Sequence, residues 1–455
     1  MKVYSCRLLV LPGLLMTIHQ AASQGVNFAS PFLLDVVSTP PYVIAADVNG
    51  DGKPDLISAN IGGGTGGTGT LTVMTNDGSG GFALDTTLDV GNFALCVVAA
   101  DVNGDGKLDL ISADFGTNTL TVWTNNGNGF GYNSTLTVGS GPCAFVAADV
   151  NGDGQVDLIC ANAIDGTLTV LTNNGNVGFG LYAMLPVGAS ASSYPVSVAV
   201  ADVNGDGKPD LISANSNDGT LTVLTNNGNG GFGLNATLTV GSAPSSVIAV
   251  DVNGDGKPDL ISANANDGTL TVLTNNGDGS FSLDATLNVG LSSGSSPENV
   301  VAVDVNGDGK LDLVSADFGD DTLTVLINDG SGGFASSSTL SVGVAGSEPN
   351  AVAAADVNGD GTPDLISANY GTSTLSVLLR ANTPAVPTLN ISLTSPNIVV
   401  VSWPSSATGF VLQQNSDLTS ANWLDFNGTV NDDGTTKTAI ITPLTGNQFF
   451  RLYHP

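Results

Sequence analysis

An all-β fold is predicted by three observations: one unit recurs seven times, its apolar residues alternate with period two, and Gly, Asn and Asp separate the runs. The marker of the unit is DVNGDG, whose first residue falls at Asp47, Asp101, Asp149, Asp202, Asp251, Asp304 and Asp356, at spacings of 48 to 54 residues. Each unit reads as four strands. A short apolar stretch such as VIAADV leads into the loop, an alternating DLISAN follows, then TLTVLTN, an NNG-type turn, and a Phe that opens a run ending in TLTVG. Asn and Gly accept the positive φ that tight hairpins need.

A four-stranded sheet of this size cannot bury both faces alone, so successive units must stack face to face as blades. Seven units predict a seven-bladed β-propeller, and a ring must join its last blade to its first. The seventh unit stops at Leu379 after its third strand. The missing strand is found at the other end, where FASPFLLDV (28–36) aligns without gaps to FALDTTLDV (82–90). The N-terminal strand is therefore expected to close the ring and remove exposed sheet edges.

The flanks read differently. Residues 1–23 have the pattern of a secretory signal, with Lys2 and Arg7, an apolar Leu8 to Ile18, and small residues before Gln24. The propeller is placed at 24–380, a Pro-bearing linker at 381–388, and a small β-sandwich at 389–455. Within that tail, VVVSWP around Trp403 and QFFRLY near the end resemble fibronectin type III strands. No later stretch approaches the roughly 20 apolar residues of a membrane span. Cys6 would leave with the signal. Cys96, Cys143 and Cys160 then read as small buried hydrophobes, with a Cys143–Cys160 bridge left open because the two flank a hairpin at offset positions.

The formal charge is −31, and loss of Lys2 and Arg7 makes it −33. Of 41 acidic residues, 21 sit three apiece in the seven loops. With no basic patch to hold phosphates, nucleic-acid binding is not expected. The acidity is read as metal chemistry.

Each loop follows D-x-N-x-D-G-x-x-D. Position 1 is Asp47, Asp101, Asp149, Asp202, Asp251, Asp304 or Asp356, and position 3 is Asn49, Asn103, Asn151, Asn204, Asn253, Asn306 or Asn358. Position 5 is Asp51, Asp105, Asp153, Asp206, Asp255, Asp308 or Asp360. Position 7, offering its carbonyl, is Lys53, Lys107, Gln155, Lys208, Lys257, Lys310 or Thr362. Position 9 is Asp55, Asp109, Asp157, Asp210, Asp259, Asp312 or Asp364. Hard oxygen donors select Ca²⁺, whereas zinc or copper would want His or Cys. Three carboxylates within nine residues repel one another unless a cation offsets them. About seven structural calcium ions are expected, with the Lys side chains pointing away to water.

An EF-hand shares the first half of this pattern but needs a Glu at position 12, where this chain has Ser58 on a strand. The ninth-position Asp followed at once by LISAN instead resembles the calcium hairpin of FG-GAP and VCBS repeat proteins, the blade type of the integrin α-subunit head. The resemblance covers 28–379 and is closer to the bacterial VCBS type, because all seven loops keep every ligand. It implies that the loop links the first two strands of a blade and that the metal is structural. It also implies ligand binding on the opposite face, formed by the loops after strands two and four, where Phe115, Phe318 and Tyr370 occupy comparable positions.

Only His454 would remain after the signal is lost, so triads and His-based acid–base schemes have almost nothing to use. Paired carboxylates are the other route, yet Asp114, Asp165, Asp218, Asp267 and Asp317 recur from unit to unit and read mainly as turn-formers. The expected function is non-enzymatic: a secreted or cell-surface adhesion and ligand-binding module, a monomeric propeller whose partner is an extracellular carbohydrate or protein. A surface scaffold and, behind it, a polysaccharide-active enzyme stay as alternatives.

Overall fold

The computed structural model describes residues 7–11, 14–18, 26–62, 68–175, 177–228, 231–292, 294–381, 389–395, 398–405, 410–416, 422–442 and 449–453. Two compact units divide the chain. One holds Val26–Ala381, and the other gathers the N-terminal 25 residues with Asn382–Pro455. Seven four-stranded antiparallel sheets build the first unit; six are ordered by sequence from the first strand to the fourth, and the seventh takes its fourth strand from the N-terminal segment. The first strand of every blade packs beside that of the next, and the seventh packs beside the first. The ring is closed.

Why these residues stack as blades is clearest in the second strands, Asp55–Asn60 and its six equivalents, in which every residue is buried. Period two sends Leu56 to the boundary with blade seven and Ile57 to the boundary with blade two. Leu110 meets Ile57 there, while Ile111 faces blade three beside Leu158. The same alternation continues until Leu365 and Ile366 close the circle, giving seven hydrophobic clusters, one at each boundary. Each fully buried Leu or Ile contributes roughly 1.5–3 kcal/mol. Fourth strands such as Phe82–Asp89 face solvent and carry a bulge, with Leu84 opposite Met74 and Thr86 opposite Val73. A bulged outer strand is a poor template for pairing with another chain.

Ring closure follows the expectation from FASPFLLDV. Phe32–Asp35 pairs antiparallel with Thr374–Leu378 and serves as the fourth strand of blade seven. Ala29 N–H donates to Leu379 O (2.8 Å), and Ala381 N–H to Asn27 O (2.8 Å).

A buried polar row runs up each blade. Ser58 Oγ donates to Asn60 Oδ1 (3.0 Å), and Asn60 Nδ2 donates to Thr72 Oγ1 (2.9 Å). Blade three has Cys160 where the others have Ser, and Asn162 Oδ1 is left buried without a partner. Cys160→Ser is expected to supply the missing donor and stabilise the fold by about 1 kcal/mol, read from urea denaturation. No gain, with Asn162 unchanged, would contradict this account of the row. Cys96, Cys143 and Cys160 are all free, so the Cys143–Cys160 bridge is not formed. The offset is real: Cys160 lies opposite Phe145, and Cys143 sits at the register shift between Pro142 and Ala144.

Blades two and six carry Asp114 and Asp317 in place of the Asn, and the Thr hydroxyl now donates, from Thr324 Oγ1 to Asp317 Oδ2 (2.6 Å). Burial, with Asp320 adding a smaller effect, pushes Asp317 up to about 7. The unfolded chain ionises this carboxyl near 4, so the advantage of the protonated folded form is full below about pH 4 and is lost as pH rises through about 7. Asp317→Asn is therefore expected to stabilise the protein by up to roughly 4 kcal/mol at about pH 8 and by little near pH 4. Denaturant titrations across that range would show a constant gap if the reasoning is wrong.

In the second unit, Asn390–Ser395, Ile398–Pro404, Thr436–Ile441 and Val430–Asp432 form one sheet in that order, and Leu424–Asp425, Val411–Asn415 and Phe449–Tyr453 form another. Val401 and Trp403 from the first share a core with Leu412 and Phe450 from the second, which makes a small β-sandwich. The Arg451 guanidinium lies over the rings of Trp423 and Tyr453, at 4.5 and 5.4 Å from their centroids. Arg7–Leu11 and Leu14–Ile18 pair as a hairpin, while the remainder of the expected signal and residues 382–388 of the expected linker lie outside the described residues. Among the described residues, no helix is long and apolar enough to cross a membrane.

Candidate metal centre

The motif folds the same way seven times because its own side chains replace the hydrogen bonds of regular structure. In the first loop, Asp47 Oδ1 accepts from Gly50 N (2.7 Å) and Asp51 N (3.1 Å), and Oδ2 accepts from Gly52 N (2.7 Å). Asn49 Oδ1 accepts from Asp51 N (2.8 Å), and Asp51 Oδ1 from Lys53 N (3.0 Å). Gly50 and Gly52 have φ of +78° and +85°, where a Cβ would strain the backbone, and this explains both glycines of NGDG. The side chains of positions 1, 3 and 5 are thereby wrapped onto one short turn.

Position 9 begins the second strand and is fully buried in every blade. Asp55 Oδ2 accepts from Val48 N (3.2 Å) and Oδ1 from Asn76 N (2.9 Å). Burial raises all seven of these carboxyls, with loop carboxylates adding to the effect, and Asp312 and Asp364 reach about 6. Desolvation and like-charge repulsion together mark a place where a cation is favoured.

Among the described residues, no three His, Cys, Asp or Glu side chains are gathered closely enough to hold a metal. The motif draws on more than carboxylates, however: Asp, Asn, Asp, a main-chain carbonyl and a buried Asp form an all-oxygen set, and the wrapped oxygens keep further lone pairs. Such donor chemistry fits a hard cation and excludes a soft one. The Lys side chains differ from expectation. Lys53, Lys107, Lys208, Lys257 and Lys310 fold back with Nζ 3.2 to 4.0 Å from the position-5 carboxylate of their own loop. Lys53 Nζ also donates to Asp77 O (2.9 Å) in the next hairpin. Half-exposed ammonium groups are drawn to the densest negative charge within reach.

The FG-GAP-like repeat family model matches residues 47–112, 101–160, 149–213, 202–262, 251–315 and 304–367, each stretch running from one loop into the next. The chain belongs to the FG-GAP-like repeat family. Solved structures similar to this FG-GAP-like propeller include BBS1N in complex with ARL6DN, 13% identical over 78% of this chain and 99% of that one, with a TM-score of 0.54. A catalytically inactive virginiamycin B lyase from Staphylococcus aureus with quinupristin is also 13% identical, over 78% and 99%, with a TM-score of 0.53. Both share the fold alone. An Agrocybe aegerita lectin that recognises non-reducing terminal N-acetylglucosamine is 24% identical over 74% and 87%, but its TM-score of 0.47 is too low to carry weight. No curated protein matches the sequence. The family match ends at 367, and nothing assigns the C-terminal sandwich to fibronectin type III.

At the end of the FG-GAP-like propeller away from the loops, the structure brings Phe318 and Tyr370 together, with ring centroids 6.1 Å apart. Phe115 lies elsewhere, its ring close over Gly141. Other residues on this end escaped the sequence reading: Phe93, Ile164, Tyr194, Leu291 and Val344 are all exposed. Phe93 and Tyr194 immediately precede a first strand and adopt φ of +56° and +57°. Their carbonyls accept from Phe115 N and Ser216 N (both 3.0 Å), and that tight turn holds the rings outward. An aromatic directly before the apolar run, as in NFAL and SSYP, was the available signal.

Proposed function

We propose that this FG-GAP-like propeller is a calcium-stabilised binding module that works outside the cell, with its ligand face at the end opposite the loops. The supporting observation is an asymmetry. Phe93, Ile164, Tyr194, Leu291, Val344 and Tyr370 are exposed at that end, while among the described residues no large exposed hydrophobic lies in the DVNGDG loops or the hairpin turns beside them, and those near the loop end, such as Leu84 and Leu234, lie along the outer strands. All six cations of 26–381, the five loop lysines and Arg380, lie at the loop end. A face with aromatic rings and no positive charge suits neutral carbohydrate or an uncharged to basic peptide, and disfavours phosphate-bearing ligands.

Three recurring turn carboxylates on this face are already engaged. Asp165 Oδ2 accepts from Ser140 N (2.5 Å), Asp218 Oδ2 from Ala189 N (2.7 Å) and Asp267 Oδ2 from Ser242 N (2.7 Å), which ties each turn to the connection from the preceding blade. That is a structural duty, so the binding role is proposed ahead of hydrolysis. The loops would hold Ca²⁺ through positions 1, 3, 5, 7 and 9, and the ion would supply charge neutralisation and rigidity there. Dissociation constants near ~0.1 mM suit a compartment with ~1 mM calcium. This agrees with reading Met1–Ser23 as an export signal and the protein as secreted or cell-surface.

The test is a glycan and peptide array probed with the full chain. Tyr194→Ala and Tyr370→Ala are each expected to weaken the captured ligand about tenfold or more, with Thr225→Ala at the loop end neutral. Ligands held equally by both tyrosine variants would place the binding face elsewhere.

A further inference from the structure

Beyond the individual loops, the hydrogen bonds at this end form a closed circuit. In blade four, Asn226 N–H donates to Asp210 Oδ1 (2.8 Å), and Asn226 Nδ2 reaches across the blade boundary to Val150 O in the loop of blade three (2.7 Å). Val150 N–H in turn donates to Asp157 Oδ2 (3.1 Å), whose Oδ1 accepts from Asn173 N (2.8 Å). Asn173 Nδ2 then donates to Val102 O in blade two (2.8 Å), and Asn125 Nδ2 to Val48 O in blade one (2.6 Å). Asn76 Nδ2 donates to Val357 O in blade seven (2.9 Å). From the other direction, Asn275 reaches Val203 O (3.0 Å) and Asn328 reaches Val252 O (2.7 Å).

Blade seven completes the circle with a different residue. Arg380 N–H donates to Asp364 Oδ1 (2.6 Å), and its guanidinium Nη2 to Asn306 O (3.0 Å), one residue further along the loop of blade six. The position-9 Asp of every blade is fully buried, and the six Asn residues are only 2–4% exposed. Water is therefore not at hand as an alternative partner, and each link holds the geometry of the next.

We propose that these third-strand residues are positioning residues that couple the seven loops, so that a cation held by one loop raises the affinity of its neighbours. The inference rests on the calcium reading given above. The chemistry is direct. Ordering a loop fixes its position-2 carbonyl, which fixes the side-chain amide of the Asn in the following blade. The backbone N–H of that same Asn orients the position-9 carboxylate of its own loop. Coupling of this kind is reciprocal, and it runs around a ring with no terminal repeat to fray.

The experiment is a calcium titration of the metal-free full chain by calorimetry and equilibrium dialysis, with Asn226→Ala and the neighbouring control Thr225→Ala. Wild type is expected to bind about seven ions with a Hill coefficient above 1. Asn226→Ala is expected to weaken more than one site by about tenfold or more and to flatten the isotherm, with Thr225→Ala unchanged. Should Asn226→Ala not fold, Asn275→Ala, which breaks the equivalent link to Val203 O, takes its place. Seven ions bound with a Hill coefficient of 1 or less overturn the coupling and leave the calcium reading intact. No bound calcium overturns both.

Discussion

Deleting residues 26–36 is expected to open the ring and lower the thermal midpoint by about 10 °C or more. Phe28 packs on the boundary between blades six and seven, and Phe32, Leu34 and Val36 pack on the boundary between blades seven and one. Losing four partly buried apolar side chains removes roughly 5 kcal/mol or more, and each kcal/mol moves the midpoint of a large domain by about 2 °C. Thr374–Leu378 would also become an unpaired edge, without the bulge that protects the other outer strands. Aggregation at low concentration is the accompanying sign. A truncated chain that melts with the wild type would mean that the N-terminal strand is an ornament and the ring closes otherwise.

Calcium is expected to have a still larger effect. With mean dissociation constants of ~0.1 mM in ~1 mM calcium, binding adds about 1.4 kcal/mol per site, hence about 10 kcal/mol summed over seven sites before any coupling between them. That is comparable to the whole stability of a typical domain, ~5 to 15 kcal/mol. The loops have reason to need it. Asp55 and its six equivalents are buried carboxyls whose ionisation is opposed by burial and, to a smaller extent, by other acids of the same turn. Only five loops have a lysine nearby, and these ammonium groups are themselves half-exposed. The third and seventh loops carry Gln155 and Thr362 instead. They are the ones in which removal of calcium should be felt first.

How much of this was legible depends on whether a residue's role is local. DLISAN could be read as a strand from its alternation, and adjacent Leu56 and Ile57 point to opposite blade boundaries; that Ser58 and Asn60 are also fully buried was not legible. FASPFLLDV could be placed because it copies the segment missing from the seventh unit. The loop glycines could be read from the turn they make. What could not be read was set by neighbours distant in sequence. Asn226 looks like the start of an NNG turn, yet its amide bonds Val150 O, 76 residues away. Lys53 looks like a solvated charge until the hairpin carbonyl of Asp77 is placed beside it. Phe93 and Tyr194 sit in connections whose left-handed backbone no propensity suggests. Of the aromatic trio Phe115, Phe318 and Tyr370, two meet and the third packs with a different blade pair, a grouping that depends on the ring of blades and not on the local sequence.

The most direct test of the central claim is a thermal melt of the purified chain in calcium and in chelator, with a metal count per chain on the same sample. About seven calcium ions and a large calcium-dependent rise in midpoint are predicted. A protein without bound calcium, melting at the same temperature in chelator, would contradict the account and leave the DVNGDG loops as self-capped turns.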